Sequence, residues 1–289
     1  MKNNIENYWE KTINSLKRDK NYKDIIKSCY YDDPIEGAIK RFEDSKEWES
    51  LTKELENKQI TKGKVLDFGS GRGISSIALA KIKWEVYAVD ENDGDNAGLK
   101  SLVKIKNDLN LRIILNKANF EKLPYQDNFF DLVYARQSLH HSKDLKASCV
   151  EIHRVLKKGG IFISLRDHVI DKNLDKEVFL KNHPLHKYTQ DENAFLLSEY
   201  LDSFKYSGFK ILKILKTYSS ALNYDPNKIE DILSHYTKNK FLIGSKRFQV
   251  LINNKNYISK FIKSILIYFI NLRDKTPGRP YSFILKKIK

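Results

Sequence analysis

The stretch KVLDFGSGRG, Lys64 to Gly73, sets three glycines within five residues directly behind an apolar run. A run of that length fits one buried strand, and the glycines behind it require a tight turn in which backbone can come close to whatever lies above. A helix follows at once, from Gly73 to about Lys83. Strand, glycine turn and helix in that order imply one half of an α/β unit. The rest of the chain either repeats the alternation or contradicts it.

It repeats it. After the turn come EVYAVD, a helix to about Leu109, RIILNKAN, FDLVYAR, a helix to Leu156 and GIFISLRD, with KKGG read as a helix stop before the last run. This predicts a doubly wound Rossmann-like α/β core with a parallel sheet covered on both faces, over residues 61–224. Residues 1–60 read as a helical lid, because Ile39, Phe42, Trp48, Leu51 and Leu55 recur near the helical period with charges between them. After Arg166 the pattern loosens, and a helix from about Ala194 to Tyr206 then leads into FKILKILKT. Residues 225–274 read as a helical insertion and 275–289 as the last strand, YSFILKKI. A chain of 289 residues can bury a sizeable core in this arrangement.

A glycine turn between strand and helix aims helix N–H groups at a ligand, and a carboxylate at the end of the next strand can accept ribose hydroxyls. Asp90 stands there, 17 positions after Gly73. A dinucleotide enzyme and a methyltransferase share these features, and Asp90 could equally cap the next helix. The segments NKANFEKLPYQDNFFDLVYARQSLHH and EIHRVLKKGGIFISLRD make the pattern specific. Residues 63–168 resemble the class I S-adenosylmethionine-dependent methyltransferases of the small-molecule, type 11-like group, with its LP-x-x-D-x-x-FD and E-x-x-R-V-L-K-x-G-G segments.

The resemblance implies a seven-stranded methyltransferase sheet and S-adenosyl-L-methionine as cofactor, with S-adenosyl-L-homocysteine as product. It places Asp67 near the cofactor's amino group, Gly69, Ser70, Gly71 and Gly73 along its methionine part and Asp90 on its ribose. Ala135, Arg136 and Gln137 then lie beside the methionine moiety. Asn119 takes the position where the family often has an acidic residue, so the adenine contact implied there is an amide one, with the Phe120 backbone next to it.

Methyl transfer to a hydroxyl needs alignment and removal of a proton. Groups over the ends of the fourth and fifth strands compete for that role: His140 and His141 in ARQSLHH, and Asp167 and His168 in SLRDH, the second pair being preferred with one member orienting the other. NHPLHKYTQDENAF supplies a substrate wall through His183, His186, Tyr188 and Asn193. A metal set of His183, His186 and Asp167 is conceivable, but loop histidines more often serve as hydrogen-bonding groups, and no metal is expected. Arg41, Arg136 and Arg166 would point to an anionic substrate if two converged.

The combination VYARQSLHH, RDHVI, HPLH and ENAF resembles bacterial methyltransferases of surface-polysaccharide or specialised small-molecule pathways, and the expected reaction is O-methylation of a small polar metabolite or activated sugar of such a pathway, with N-methylation of a small molecule or a nucleic-acid substrate as alternatives. The net charge of +15 suits nucleic acid, but the lysines are scattered, DLVYARQ lacks an Asp/Asn-Pro-Pro-aromatic signature, and there is no Pro-Cys nucleophile. YISKFIKSILIYFINLRDK, Tyr257 to Lys275, is apolar almost all round near ILIYFI. That suits burial or a homodimer contact better than peripheral membrane docking. With two distant cysteines, no apolar leader and no long apolar span, a cytoplasmic protein is expected.

Overall fold

The computed structural model describes residues 3–186, 192–241, 254 and 256–288. At its centre β1 (Lys64–Phe68) pairs in parallel with β2 (Glu85–Asp90) on one side and with β4 (Phe130–Arg136) on the other. β3 (Ile113–Lys117) closes the β2 edge. Beyond β4 lie β5 (Leu156–Ile170), β8 (Arg279–Lys287) and β7 (Phe209–Leu215), with β8 antiparallel to both neighbours. A two-residue β6 (Phe195–Leu196) pairs with the end of β5. The chain leaves β1 towards β2 and returns on the far side as β4. The crevice at the carboxyl ends of β1 and β4 is therefore the topological switch point, where open α/β sheets take their ligands.

Period-two alternation builds a core on each face. After two N-terminal helices, α1 (Asn3–Arg18) and α2 (Lys23–Ser28), come α3 (Ile35–Glu43), α4 (Lys46–Asn57) and α5 (Ile74–Lys81), and Val65, Leu132, Tyr134, Ile161 and Ile163 face these last three. Their neighbours Leu66, Val133, Ala135 and Phe162 face Leu145, Cys149 and Ile152 of the helix Leu145–Val155 and Tyr200 and Phe204 of the helix Leu197–Tyr206. Strands buried on both faces read as continuous apolar runs, which is why KVLDF and FDLVYA look so much alike.

Three elements differ from the sequence reading. The helix expected straight after EVYAVD starts only at Lys100, because Asn92 and the glycines Gly94 and Gly98 shape a loop first. KKGG does not follow a helix as a stop outside the sheet. It lies inside β5, with Gly159 at φ 83°. And β5 does not end at Arg166. Arg166 takes φ 58° and shifts the register, after which Asp167, His168 and Val169 pair again with Tyr281, Pro280 and Arg279. Burial of Val169 and Ile170 drives that extension. Between β7 and β8 the helices Ile229–Phe241 and Tyr257–Arg273 pack together through Leu233 and Ile270. Most of the apolar side chains of Tyr257–Arg273, among them Tyr257, Phe261 and Tyr268, are exposed among the described residues, so the expected burial within the chain is not seen there. No helix among the described residues is long and apolar enough to cross a membrane.

The N-terminal helices are fastened to the sheet by charge. Glu47 of α4 is fully buried, where its carboxylate receives Nε and Nη2 of Arg136 at 2.6 and 3.0 Å and Nη2 of Arg166 at 2.8 Å. Burial opposes ionisation of Glu47, but the two guanidinium groups outweigh it and hold its pKa below the usual carboxylate value. Removing one partner of such a cluster strands buried charge. Glu47→Ala should therefore lose about 3–5 kcal/mol in urea unfolding. Lys46→Ala, which breaks only an exposed pair with Glu49, should stay within about 0.5 kcal/mol.

Candidate active site

The turn after β1 is held by the neighbouring strand, because the amides of Gly69 and Ser70 both donate to the Val89 carbonyl, at 2.9 and 3.0 Å. Gly69 has φ 71°, and a Cβ there would meet the Ser138 side chain at 2.3 Å, so the loop can lie flat against the end of β4 only as glycine. Gly73, at φ 74°, starts α5, and Leu102 of the next helix fills the space its Cβ would take.

Asp90 ends β2 with its carboxylate across the loop: Oδ2 accepts the Gly71 amide and Oδ1 the Asn92 amide, both at 2.8 Å. Burial pushes this carboxyl up to about 6, against the two amide bonds that lower it. Each oxygen keeps a further lone pair for a hydroxyl donor.

A cavity of about 960 Å³ opens at this edge. Gly69, Ser70, Gly71 and Asp90 form one end, Asn119, Phe120 and Gln137 the flank, and Cys29, Tyr30 and Tyr31 of the N-terminal segment the roof. His140, His141, His168, His183 and Glu192 line the other end. Gln137, at the end of β4, holds φ 50°, a conformation that costs a non-glycine residue about 1–2 kcal/mol. Its amide is bound by the Leu165 carbonyl at 2.8 Å.

Several residues singled out from the sequence lie elsewhere. Asp67 is buried under the loop, where Oδ2 accepts the hydroxyls of Ser75 and Ser76 at 2.7 and 2.6 Å and burial raises its pKa to about 6; it does not line the cavity. Gly73 and Ala135 are also absent from the wall. Arg136 reaches the wall, yet it and Arg166 converge on Glu47, while Arg41 makes a two-point pair with Asp32 at 2.6 and 2.9 Å. The arginines are thus taken by the chain's own carboxylates, and they give no support to an anionic substrate. His186 and Asn193 do not line the cavity, the Asn193 amide oxygen accepting the Ala194 amide at 2.9 Å. Tyr188 lies outside the described residues.

Asp167 and His168 were expected in an irregular stretch, one orienting the other; they stand in β5, and Asp167 orients His140 instead. Asp167 is fully buried, and its Oδ1 accepts the His140 amide at 3.1 Å and faces His140 Nδ1 at 3.0 Å. The Ser164 hydroxyl donates to its other oxygen. On the far side of the ring, His140 Nε2 lies 3.6 Å from Glu192 Oε2. Burial alone would lower the pKa of His140, but the two carboxylates overcome it and raise it to about 9. His168 donates Nδ1–H to the Gly278 carbonyl at 2.8 Å, and burial, followed by the charge on His140, presses it down to about 3. Glu192 is held well below the carboxylate range: its bond to His140 and the neighbouring imidazoles outweigh burial.

Glu192 lines the cavity but was passed over in the sequence, although it sits in the QDENAF segment beside Asn193. Arg72 was also passed over. It is buried and clamps the N-terminal segment to the glycine loop by donating to the Tyr30 and Asp32 carbonyls at 3.1 and 3.0 Å and to Asp33 Oδ1 at 2.6 Å.

Residues 66–164 match the family model described as "Methyltransferase domain". The core of this chain is a class I S-adenosylmethionine-dependent methyltransferase domain. Among curated proteins it is similar to the sarcosine/dimethylglycine N-methyltransferase of Halorhodospira halochloris, 34% identical over 144 residues that cover 49% of each chain. It is also similar to a sterol 24-C-methyltransferase of Aspergillus fumigatus, 28% identical over 52% of this chain and 40% of that one. The chain thus spans half or less of the length of these relatives. A solved geranyl diphosphate C-methyltransferase from Streptomyces coelicolor A3(2), in complex with Mg²⁺, geranyl diphosphate and S-adenosyl-L-homocysteine, shares the fold with a TM-score of 0.53 at 14% identity, over 83% of this chain and 80% of that one.

The packing around the loop yields a direct check. Gly73→Ala should lower unfolding free energy by at least about 1–2 kcal/mol, the cost of a left-handed alanine, before any displacement of Leu102 is counted. Denaturant titration of the two proteins reads the difference.

Proposed function

We propose that this chain transfers the methyl group of S-adenosylmethionine to a hydroxyl oxygen of a small polar metabolite, an activated sugar being one such acceptor. The observation that carries this reading is the single cavity that joins the glycine loop and Asp90 to a wall of imidazoles. The residues at the loop end suit the cofactor: a flat glycine backbone, a carboxylate with free lone pairs and the Phe120 ring beside an amide side chain. When bound, S-adenosylmethionine supplies a methyl group made electrophilic by its sulfonium.

In this reading Asp90 accepts the ribose hydroxyls, Gly69 to Gly71 pass along the methionine portion, and Asn119 and Phe120 flank the adenine. The N-terminal segment, roofed by Tyr30 and Tyr31, keeps water from the reacting atoms. Proton removal falls to His141. His140 is clamped between two carboxylates and already carries a proton at neutral pH, His168 is too weak a base, and Asp167 is closed off behind His140. A wall rich in proton-handling groups favours a hydroxyl acceptor, which must lose a proton, over a neutral amine, which need not do so before attack.

Calorimetric titration with S-adenosyl-L-homocysteine tests the cofactor half, and uptake of labelled methyl from S-adenosylmethionine across sugar nucleotides and other hydroxylated metabolites tests the acceptor half. One-to-one homocysteine binding with no uptake by any hydroxyl acceptor, but uptake by amines, would overturn the oxygen assignment. Ionised Asp90 is the better acceptor for ribose hydroxyls, so affinity for the homocysteine should be highest above pH 6. It should fall as pH drops through 6, by up to about tenfold per unit. Asp90→Asn should bind more weakly at neutral pH and lose that slope. His141→Ala should lower kcat by about 10²–10⁴ with homocysteine affinity unchanged, whereas His153→Ala, outside the cavity, should leave both as they are.

A further inference from the structure

We infer that His140, His168 and Glu192 form a binding site for one first-row divalent transition-metal cation, Zn²⁺ foremost, on the wall of the cavity opposite the glycine loop. One ligand atom from each residue falls within 4.8 Å of the others. Bonds of about 2.0–2.2 Å to such an ion set tetrahedral ligand atoms about 3.4 Å apart, and His140 Nε2 and Glu192 Oε2 already stand at 3.6 Å. The set differs from the one the sequence suggested, since Asp167 lies behind His140 and His186 lies off the wall.

Three further features favour an ion over a plain hydrogen-bonded cluster. Both imidazoles are oriented from behind: Asp167 takes Nδ1–H of His140, so that an ion displaces only the Nε2 proton of that ring into solvent, and the Gly278 carbonyl takes Nδ1–H of His168. A carbonyl can only accept, so neutral His168 must carry its lone pair on Nε2. Outer partners of this kind fix ring orientation and tautomer in metal sites. Next, His183 Nδ1 is buried with no hydrogen-bond partner among the described residues and lies 3.8 Å from Glu192 Oε1, where it could complete or support the shell. Finally, two imidazole nitrogens and one carboxylate match zinc and its neighbours rather than Mg²⁺ or Ca²⁺, which favour all-oxygen shells. Three protein ligands on a cavity wall leave a coordination position open to the cavity. The inference stands on these contacts and does not depend on methyl transfer or on the identity of the acceptor.

The test uses the full chain freed of metal by chelator and dialysis. Titration with Co²⁺ should give visible d–d bands that saturate at one equivalent, and Zn²⁺ should then abolish them. Glu192→Gln and His168→Ala should each weaken binding by at least about 10–100-fold, the loss produced even by outer-shell changes. His153→Ala should not change it, and unchanged circular dichroism and urea unfolding show that each variant is folded. Zinc-edge X-ray absorption of the wild-type protein needs no variant and should show two imidazole ligands. Absence of saturable binding, binding indifferent to both cluster variants, or a zinc shell without imidazole scattering would each overturn the assignment.

Discussion

The cavity exists because one buried carboxylate holds two strands and a helix together. Glu47 enters from α4 and meets Arg136 at the end of β4 and Arg166 inside β5. Desolvating three charged groups is expensive, and the cluster persists because each guanidinium finds several acceptors. Arg166 also donates to the carbonyls of Leu222 and Asp225, and Arg136 to the side-chain oxygen of Gln137. The cluster therefore fixes the N-terminal helices over the carboxyl edge of the sheet and holds Gln137 at its positive φ. It also ties in the short helix Ala221–Tyr224 that follows β7. Arg72, reaching from the glycine loop to Tyr30, Asp32 and Asp33, makes the second fastening of the same roof.

With the roof held there, the two ends of the cavity acquire opposite characters. The loop end presents backbone amides and one partly satisfied carboxylate. The far end concentrates imidazoles and carboxylates within a few ångströms, and neighbouring rings differ in basicity: two carboxylates raise His140 against burial, while burial and the charge on His140 lower His168. Groups pushed apart in this way mark functional sites more often than packing cores. Glu192 and Asp167 set the charge around the imidazoles at this end.

The core was legible because its constraints are local. KVLDF, EVYAVD and FDLVYAR became β1, β2 and β4, for alternating burial and glycine punctuation leave few other folds open. The loop and Asp90 were legible for the same reason. Asp67 was misplaced because a sequence does not say that Ser75 and Ser76, one turn into α5, will claim its carboxylate. The arginines were misread because their partner, Glu47, lies 89 residues before Arg136, and nothing in a helix of alternating charge distinguishes the one glutamate that will be buried. The Glu192 contact was hidden in the same way, since its partners come from the short turn Leu139–His141 after β4 and from a strand that the sequence reading ended too early.

That early end explains most of what was missed at the far wall. Reading β5 as finished at Arg166 leaves Asp167 and His168 as neighbours in a loop, free to orient one another. The strand instead kinks at Arg166, where positive φ shifts the register, and then re-forms against β8 and β6. Asp167 is thereby sealed inside the sheet with Ser164 and aimed at His140, while His168 is anchored by the Gly278 carbonyl ahead of β8. Burial of Val169 and Ile170 stabilises the extension, so the residues that place the imidazole cluster are apolar ones with no chemistry of their own. Replacement of His168 by alanine and a core substitution at Val169 or Ile170 should for that reason disturb the same wall, the first by removing a ring and the second by releasing the strand that positions it.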